Sequence, residues 1–92
     1  MTRERLPDRR SSVAFAFEHE GHRYRATASR FNDGRLAEIF LNVGQIDSAL
    51  QKNAETSAML VSLLLQHGVC ADEILHSVSG PIATALELAG AP

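Results

Sequence analysis

From the thirteenth residue onward, apolar and polar side chains alternate. Val13, Phe15 and Phe17 interleave with Ala14, Ala16 and Glu18, the period-two pattern of a strand with one apolar face. Glu20-Gly21 supplies a two-residue turn, because glycine accepts the positive φ that a tight hairpin needs. Residues 22–31 continue as a second strand. Asn32-Asp33-Gly34 is the strongest hairpin signal in the chain and leads into a third strand over residues 36–43.

The register follows from the two turns. With Glu20-Gly21 as the first, Phe17 faces Tyr24, Phe15 faces Ala26 and Val13 faces Ala28. With Asp33-Gly34 as the second, Ala28 faces Ile39, Ala26 faces Leu41 and Tyr24 faces Val43. Every pair is apolar and all fall on one face, whereas a one-residue slip would scatter them. The opposite face carries Ala14, Ala16, Glu18, Arg23, Arg25, Thr27, Ser29, Phe31, Leu36, Glu38 and Phe40. Glu18 and Arg23 stand opposite each other there and predict a cross-strand ion pair.

After Asp47 the period becomes helical. Ser48 with Gln51 fits a capping box, and Leu50, Ala54, Ser57, Ala58, Val61, Leu64 and Leu65 form a stripe at three-to-four spacing. Met59, Leu60 and Leu63 widen it until the second half of the helix is apolar nearly all round. His67-Gly68 ends this helix, a short one follows over residues 71–77, and Ser79-Gly80-Pro81 restarts the chain into a last helix with Ile82, Ala85, Leu86 and Ala89 as its stripe. The fold predicted is α+β: a three-stranded antiparallel meander, then one long and two short helices packed on one face. Residues 1–12 read as a polar arm and 13–90 as the single domain.

Composition narrows the function. The 92 residues are 45% hydrophobic and hold one cysteine, which excludes an internal disulfide and a Cys-based zinc site. The start MTRERLPDRR has no apolar stretch behind its charges, so no secretory signal is expected, and no run approaches the ~20 residues of a membrane span. The expected setting is the cytoplasm. Charge is uneven: residues 1–44 hold eight Arg against six acids, and residues 45–92 hold Lys52 against five acids. The segment from Leu63 to Gly80 has a helix-turn-helix outline, but its second helix opens Ala-Asp-Glu, which phosphates repel, so a helix-turn-helix DNA binder is kept only as the second alternative.

The remaining candidates are weighed on chemistry. No two of His19, His22, His67 and His76 sit at a helical i, i+4 spacing with a carboxylate partner, so no metal site is expected. Cys70 has no base beside it in sequence and reads as an unreactive thiol. Arg23 and Arg25, with Arg9 and Arg10 upstream, form a basic face able to hold a phosphate or an acidic partner surface. Ser79 and Gly80 open a helix whose N–H groups could meet an anion. No catalytic residue and no cofactor is predicted. Phe31, Leu36 and Phe40 on the outer sheet face have no evident cover and predict a homodimer contact with Arg23 and Arg25 at its rim.

The stretch Asp33-Gly34-Arg35-Leu36-Ala37-Glu38-Ile39-Phe40, the Ala/Leu-rich helix ending Leu64-Leu65-Gln66-His67-Gly68-Val69 and the acidic short helix after it resemble one known module. It is similar to the TSCPD-type domain found at the C-terminus of adenosylcobalamin-dependent ribonucleotide reductases and in small free-standing proteins. The likeness spans roughly residues 22–89 and rests on Tyr24, Asp33, Gly34, Glu38, Phe40, Gly44, Ser62, Leu63, Leu65, Gly68, Val69 and Gly80. The signature Thr-Ser-Cys-Pro-Asp is absent, and Ser-Gly-Pro-Ile-Ala stands in its place. The resemblance implies a family whose reaction uses a thiyl radical and a redox dithiol, and one cysteine cannot supply both. It therefore implies an auxiliary, non-catalytic relative acting through protein contacts or small-anion or nucleotide binding. The alternative is an accessory subunit or fragment required by a reductase.

Overall fold

The computed structural model describes Arg3, residues 12–44 and residues 48–90. Three strands, β1 (Ser12–His19), β2 (His22–Arg30) and β3 (Leu36–Asn42), precede three helices, α1 (Ala49–Gln66), α2 (Ala71–Ser77) and α3 (Pro81–Leu88). The sheet is antiparallel in the order β1-β2-β3. This is the α+β arrangement that the alternation and turn signals predict. Apart from Arg3 and Ser12, the arm over residues 1–12, including Arg9 and Arg10, lies outside the described residues, as does Asp47.

The first hairpin pairs Phe17 with Tyr24, Phe15 with Ala26 and Val13 with Ala28, the expected register. Glu20 and Gly21 both take positive φ, 49° and 80°. Those are the values of the turn whose twist matches that of its strands. In the second hairpin Ala28 meets Ile39 and Ala26 meets Leu41, also as expected. β3 ends at Asn42, one residue before the expected Tyr24–Val43 pair.

Near the second turn the expectation fails by one residue. Phe31 N donates to Arg35 O at 2.8 Å and Gly34 N to Phe31 O at 3.0 Å, closing a three-residue loop over Asn32-Asp33-Gly34 with Gly34 at φ 93°. That loop pairs Arg30 with Leu36, and a bulge at Ala37 restores the original register from Ser29–Glu38 onward. The extra residue turns Leu36 into the core, where it is 4% exposed. Phe31 is 6% exposed, with the Arg35 guanidinium 4.8 Å from its ring centre. The outer-face patch expected from Phe31, Leu36 and Phe40 is thus reduced to Phe40, at 54% exposure. Glu18 and Arg23 are opposed in register, yet no ion pair forms between them among the described residues.

α1 starts at Ser48, whose Oγ accepts from Gln51 N at 3.0 Å. It ends in the double reverse bond of a glycine-terminated helix: Gly68 N to Leu65 O and Val69 N to Leu64 O, with Gly68 at φ 92°. Its buried face holds Ala54, Ala58, Val61 and Leu65, as expected, but also Gln51, Ser62 and Gln66. Leu64, expected inside, is largely exposed instead. The three polar residues explain the rotation. Ser62 Oγ accepts from Ile39 N and donates to Ile39 O, both at 2.9 Å, Gln66 Nε2 donates to Ala37 O at 3.2 Å, and Gln51 Oε1 accepts from Val43 N at 2.8 Å. These backbone groups lie along the side of β3 that faces away from β2. An unpaired strand edge in a core would strand buried donors and acceptors, and α1 satisfies them with side chains. Ile82, Ala85 and Leu86 of α3 and Ile74 of α2 complete the core.

Candidate functional site

The two sheet-borne arginines converge on a single depression. β2 alternates, so Arg23 and Arg25 project from the same face, and both are exposed. Asn42, the last residue of β3, is the cross-strand partner of Arg25. With Val43 and Gly44 these residues line a hollow of about 270 Å3. Among the described residues no carboxylate is in its wall. Gly44, at φ 77°, turns its N–H onto Asn42 Oδ1 at 2.6 Å. That bond commits the amide oxygen and leaves Asn42 Nδ2 as the outward donor. Among the described residues, neither guanidinium makes a hydrogen bond or ion pair. The hollow presents two fixed positive charges and an oriented amide to solvent, a donor set suited to the oxygens of an anion.

The other expected residues do not join it. Ser79 and Gly80 precede α3, where Gly80 at φ 80° is the N-cap and its carbonyl accepts from Ala83 N and Thr84 N. Neither lines the arginine hollow. Asn42 was not singled out from sequence; the signal that could have marked it is an Asn two residues before a glycine at a strand end, the spacing of a local amide turn.

Two further depressions differ in character. One of about 560 Å3, walled largely by Phe40, Leu41, Met59 and Leu63, runs between α1 and β3, with Arg3 at its edge donating to Gln66 Oε1. Another of about 210 Å3 lies beside the loop after β2 and the turn after α1. Cys70 is exposed there, but Arg30 beside it is committed to Gly34 O at 2.8 Å and to Ala89 O at the end of α3.

The four histidines do not gather into one site: only His19 and His22 are paired, across the first hairpin. His19 and His22 close the first hairpin, His67 caps α1, and His76 Nδ1 meets Asp72 O at 2.8 Å. Among the described residues no three His, Cys, Asp or Glu side chains are grouped to hold a metal ion. Among the described residues two groups depart from ordinary titration. Asp33 is held below its usual value by the Arg35 backbone N–H and then by the Arg35 side chain, at 3.1 and 2.6 Å. Burial, and next the charge of Glu20, raises the Tyr24 phenol. Both belong to the scaffold rather than to the hollow.

Comparison with known proteins bears on the family. The chain is 38% identical over 75 residues to the vitamin B12-dependent ribonucleotide reductase of Bradyrhizobium diazoefficiens, covering 82% of this chain and 6% of that protein. It is 32% identical over 75 residues to that of Agrobacterium fabrum, with the same coverage of 82% and 6%. To that of Rhodopirellula baltica it is 30% identical over 77 residues, 84% of this chain and 7% of that protein. The chain therefore spans 6–7% of the length of these curated relatives. No solved structure matches it. No helix among the described residues is long and apolar enough to cross a membrane. The family model described as the TSCPD domain matches residues 3–86, and the chain belongs to that family.

Proposed function

We propose that this chain is a non-catalytic binding module that seats a phosphate group of a small molecule in the hollow of Arg23, Arg25 and Asn42. One observation carries the reading. Two guanidinium groups and one oriented amide donor line one depression, and among the described residues they have no protein acceptors and no carboxylate beside them in its wall. A hollow of about 270 Å3 is below the ~300–1,000 Å3 of pockets that enclose a whole drug-sized ligand. It therefore fits a phosphate end, with the rest of the molecule lying outside. The relatives' name describes reductases of ribonucleotides, which carry phosphates, so a nucleotide is the ligand class this reading favours.

The radical and redox chemistry of a reductase lies elsewhere in this reading, since the chain's one cysteine cannot form a dithiol. The module acts beside a reductase or another cytoplasmic protein, contributing a bound phosphate compound or a docking surface. Calorimetric titration with pyrophosphate and with a ribonucleoside diphosphate tests it. Hydrogen bonds to charged groups contribute about 1.5–3 kcal/mol, so Arg23→Ala or Arg25→Ala should each weaken binding by roughly 10–100-fold. Lys52→Ala, on α1, should leave it unchanged. Equal affinity in the arginine variants would overturn the assignment.

A further inference from the structure

The two edges of the sheet are treated differently. The outer side of β3 is covered by Gln51, Ser62 and Gln66 of α1, but no hydrogen bond among the described residues reaches the outer side of β1. The first hairpin closes on His19 and His22 across a two-residue turn, which makes that pair mutually hydrogen-bonded. By alternation Phe17, Phe15 and Val13 also direct their backbone groups at β2. Ser12, Ala14, Ala16 and Glu18 then turn theirs outward. β1 is also the apolar strand least covered by the helices: Val13 is 62% exposed, and Phe15 and Phe17 are only partly buried. A long apolar edge without an inward-pointing charge is a template for another strand.

We infer that β1 is the interface for a second copy of this chain, pairing antiparallel with its own equivalent about a two-fold axis at Phe15. The strand is complementary to itself in that register. Ala14 meets the partner's Ala16 and Ser12 meets the partner's Glu18 as hydrogen-bonded pairs, which engages every outward backbone group of the strand. Phe15 meets its own copy and Val13 meets the partner's Phe17 at the closer, non-hydrogen-bonded positions. Each face keeps its character, apolar against apolar and small against small, and no charge opposes a like charge. The product is a six-stranded sheet in which the one sheet edge left uncovered among the described residues has been removed. A closed two-fold pairing also stops at two copies instead of growing into a fibre.

Ala16→Pro tests this directly. Its N–H faces away from β2, so proline removes a donor that the monomer does not use, at the kind of edge position where proline is tolerated. By sedimentation velocity at tens to hundreds of micromolar, the wild-type chain should run at twice its single-chain mass and Ala16→Pro at the single-chain mass, with matching circular dichroism. Cross-linking supplies an independent readout in a Cys70→Ser background. Phe15→Cys should form an interchain disulfide under mild oxidation, because opposed Cα atoms about 4.5–5.5 Å apart fall within disulfide reach. Ala16→Cys should not, since its copies stand a diagonal apart. A wild-type monomer throughout that range overturns the proposal. So does a dimer that survives Ala16→Pro, which would move the contact to the exposed Met59 and Leu60 of α1, and so does cross-linking through Ala16→Cys but not Phe15→Cys.

Discussion

Replacing Ser62 with alanine should be among the most damaging single-atom changes available in this fold. Its hydroxyl accepts from Ile39 N and donates to Ile39 O, both at 2.9 Å, and Ile39 is 0% exposed. Deleting one oxygen leaves a buried N–H and a buried C=O of an edge strand without partners, and each such group costs about 1–3 kcal/mol. Alanine returns about 0.4 kcal/mol through its better helix propensity, so the net loss from two stranded groups should be roughly 2–5 kcal/mol. Against a total of about 5–15 kcal/mol for a domain of this kind, that is a large share. Ser57→Ala is the internal control: Ser57 Oγ bonds only Ala54 O one turn back in α1, so its loss should change stability by less than about 0.5 kcal/mol. Urea unfolding followed by circular dichroism measures both, with the midpoint falling and the slope unchanged in Ser62→Ala. A loss below about 0.5 kcal/mol in Ser62→Ala would refute the idea that α1 side chains satisfy the edge of β3.

Gln66→Leu should destabilise by about 1–3 kcal/mol in the same assay, because it strands the buried carbonyl of Ala37 at the bulge, 3.2 Å from Gln66 Nε2. Glu20→Asn should stabilise by about 0.5–1 kcal/mol and raise the melting temperature by roughly 3–6 °C, since Glu20 holds φ 49° in a turn that favours Asn-Gly. The Asp33 carboxyl, lowered from 3.8 by the Arg35 backbone and side chain, stabilises the folded state when ionised. Its contribution is therefore present above pH 3.8 and is lost as pH falls through the lower folded-state value. Asp33→Asn should be less stable than wild type near neutral pH and converge on it in strong acid, and a gap that persists in acid would contradict the pairing.

Much of this architecture is legible in the chain because alternation and turn chemistry agree. Phe17–Tyr24 and Ala28–Ile39 follow from turn position and face alone. The part not legible lies where two local solutions have nearly the same sequence signal. Asn32-Asp33-Gly34 serves a two-residue or a three-residue loop, and only the compensating bulge at Ala37 decides which. That choice buries Phe31 and Leu36 and removes the outer patch expected of them. The second blind spot is polar burial: Ser62 and Gln66 stand outside the apolar stripe, and their burial follows only once β3's unpaired edge is known to lie beside α1, the same rotation that exposes Leu64. At the candidate site, Arg23 and Arg25 are readable as a pair from their i, i+2 spacing. Asn42 is not, because its role depends on a cross-strand neighbour and on the Gly44 N–H that fixes its amide.

The central claim, that the hollow of Arg23, Arg25 and Asn42 takes a phosphate group, is tested most directly by nuclear magnetic resonance. A 15N-labelled chain is titrated with pyrophosphate into the millimolar range, following the arginine Nε–H and asparagine side-chain signals as well as the backbone. The account predicts saturable shifts in the Arg23 and Arg25 Nε–H groups, in Asn42 Nδ2 and in the Gly44 amide, with Arg35 and the helices unmoved. Uniform small drifts that follow ionic strength, or saturable shifts centred on a different surface, would contradict it.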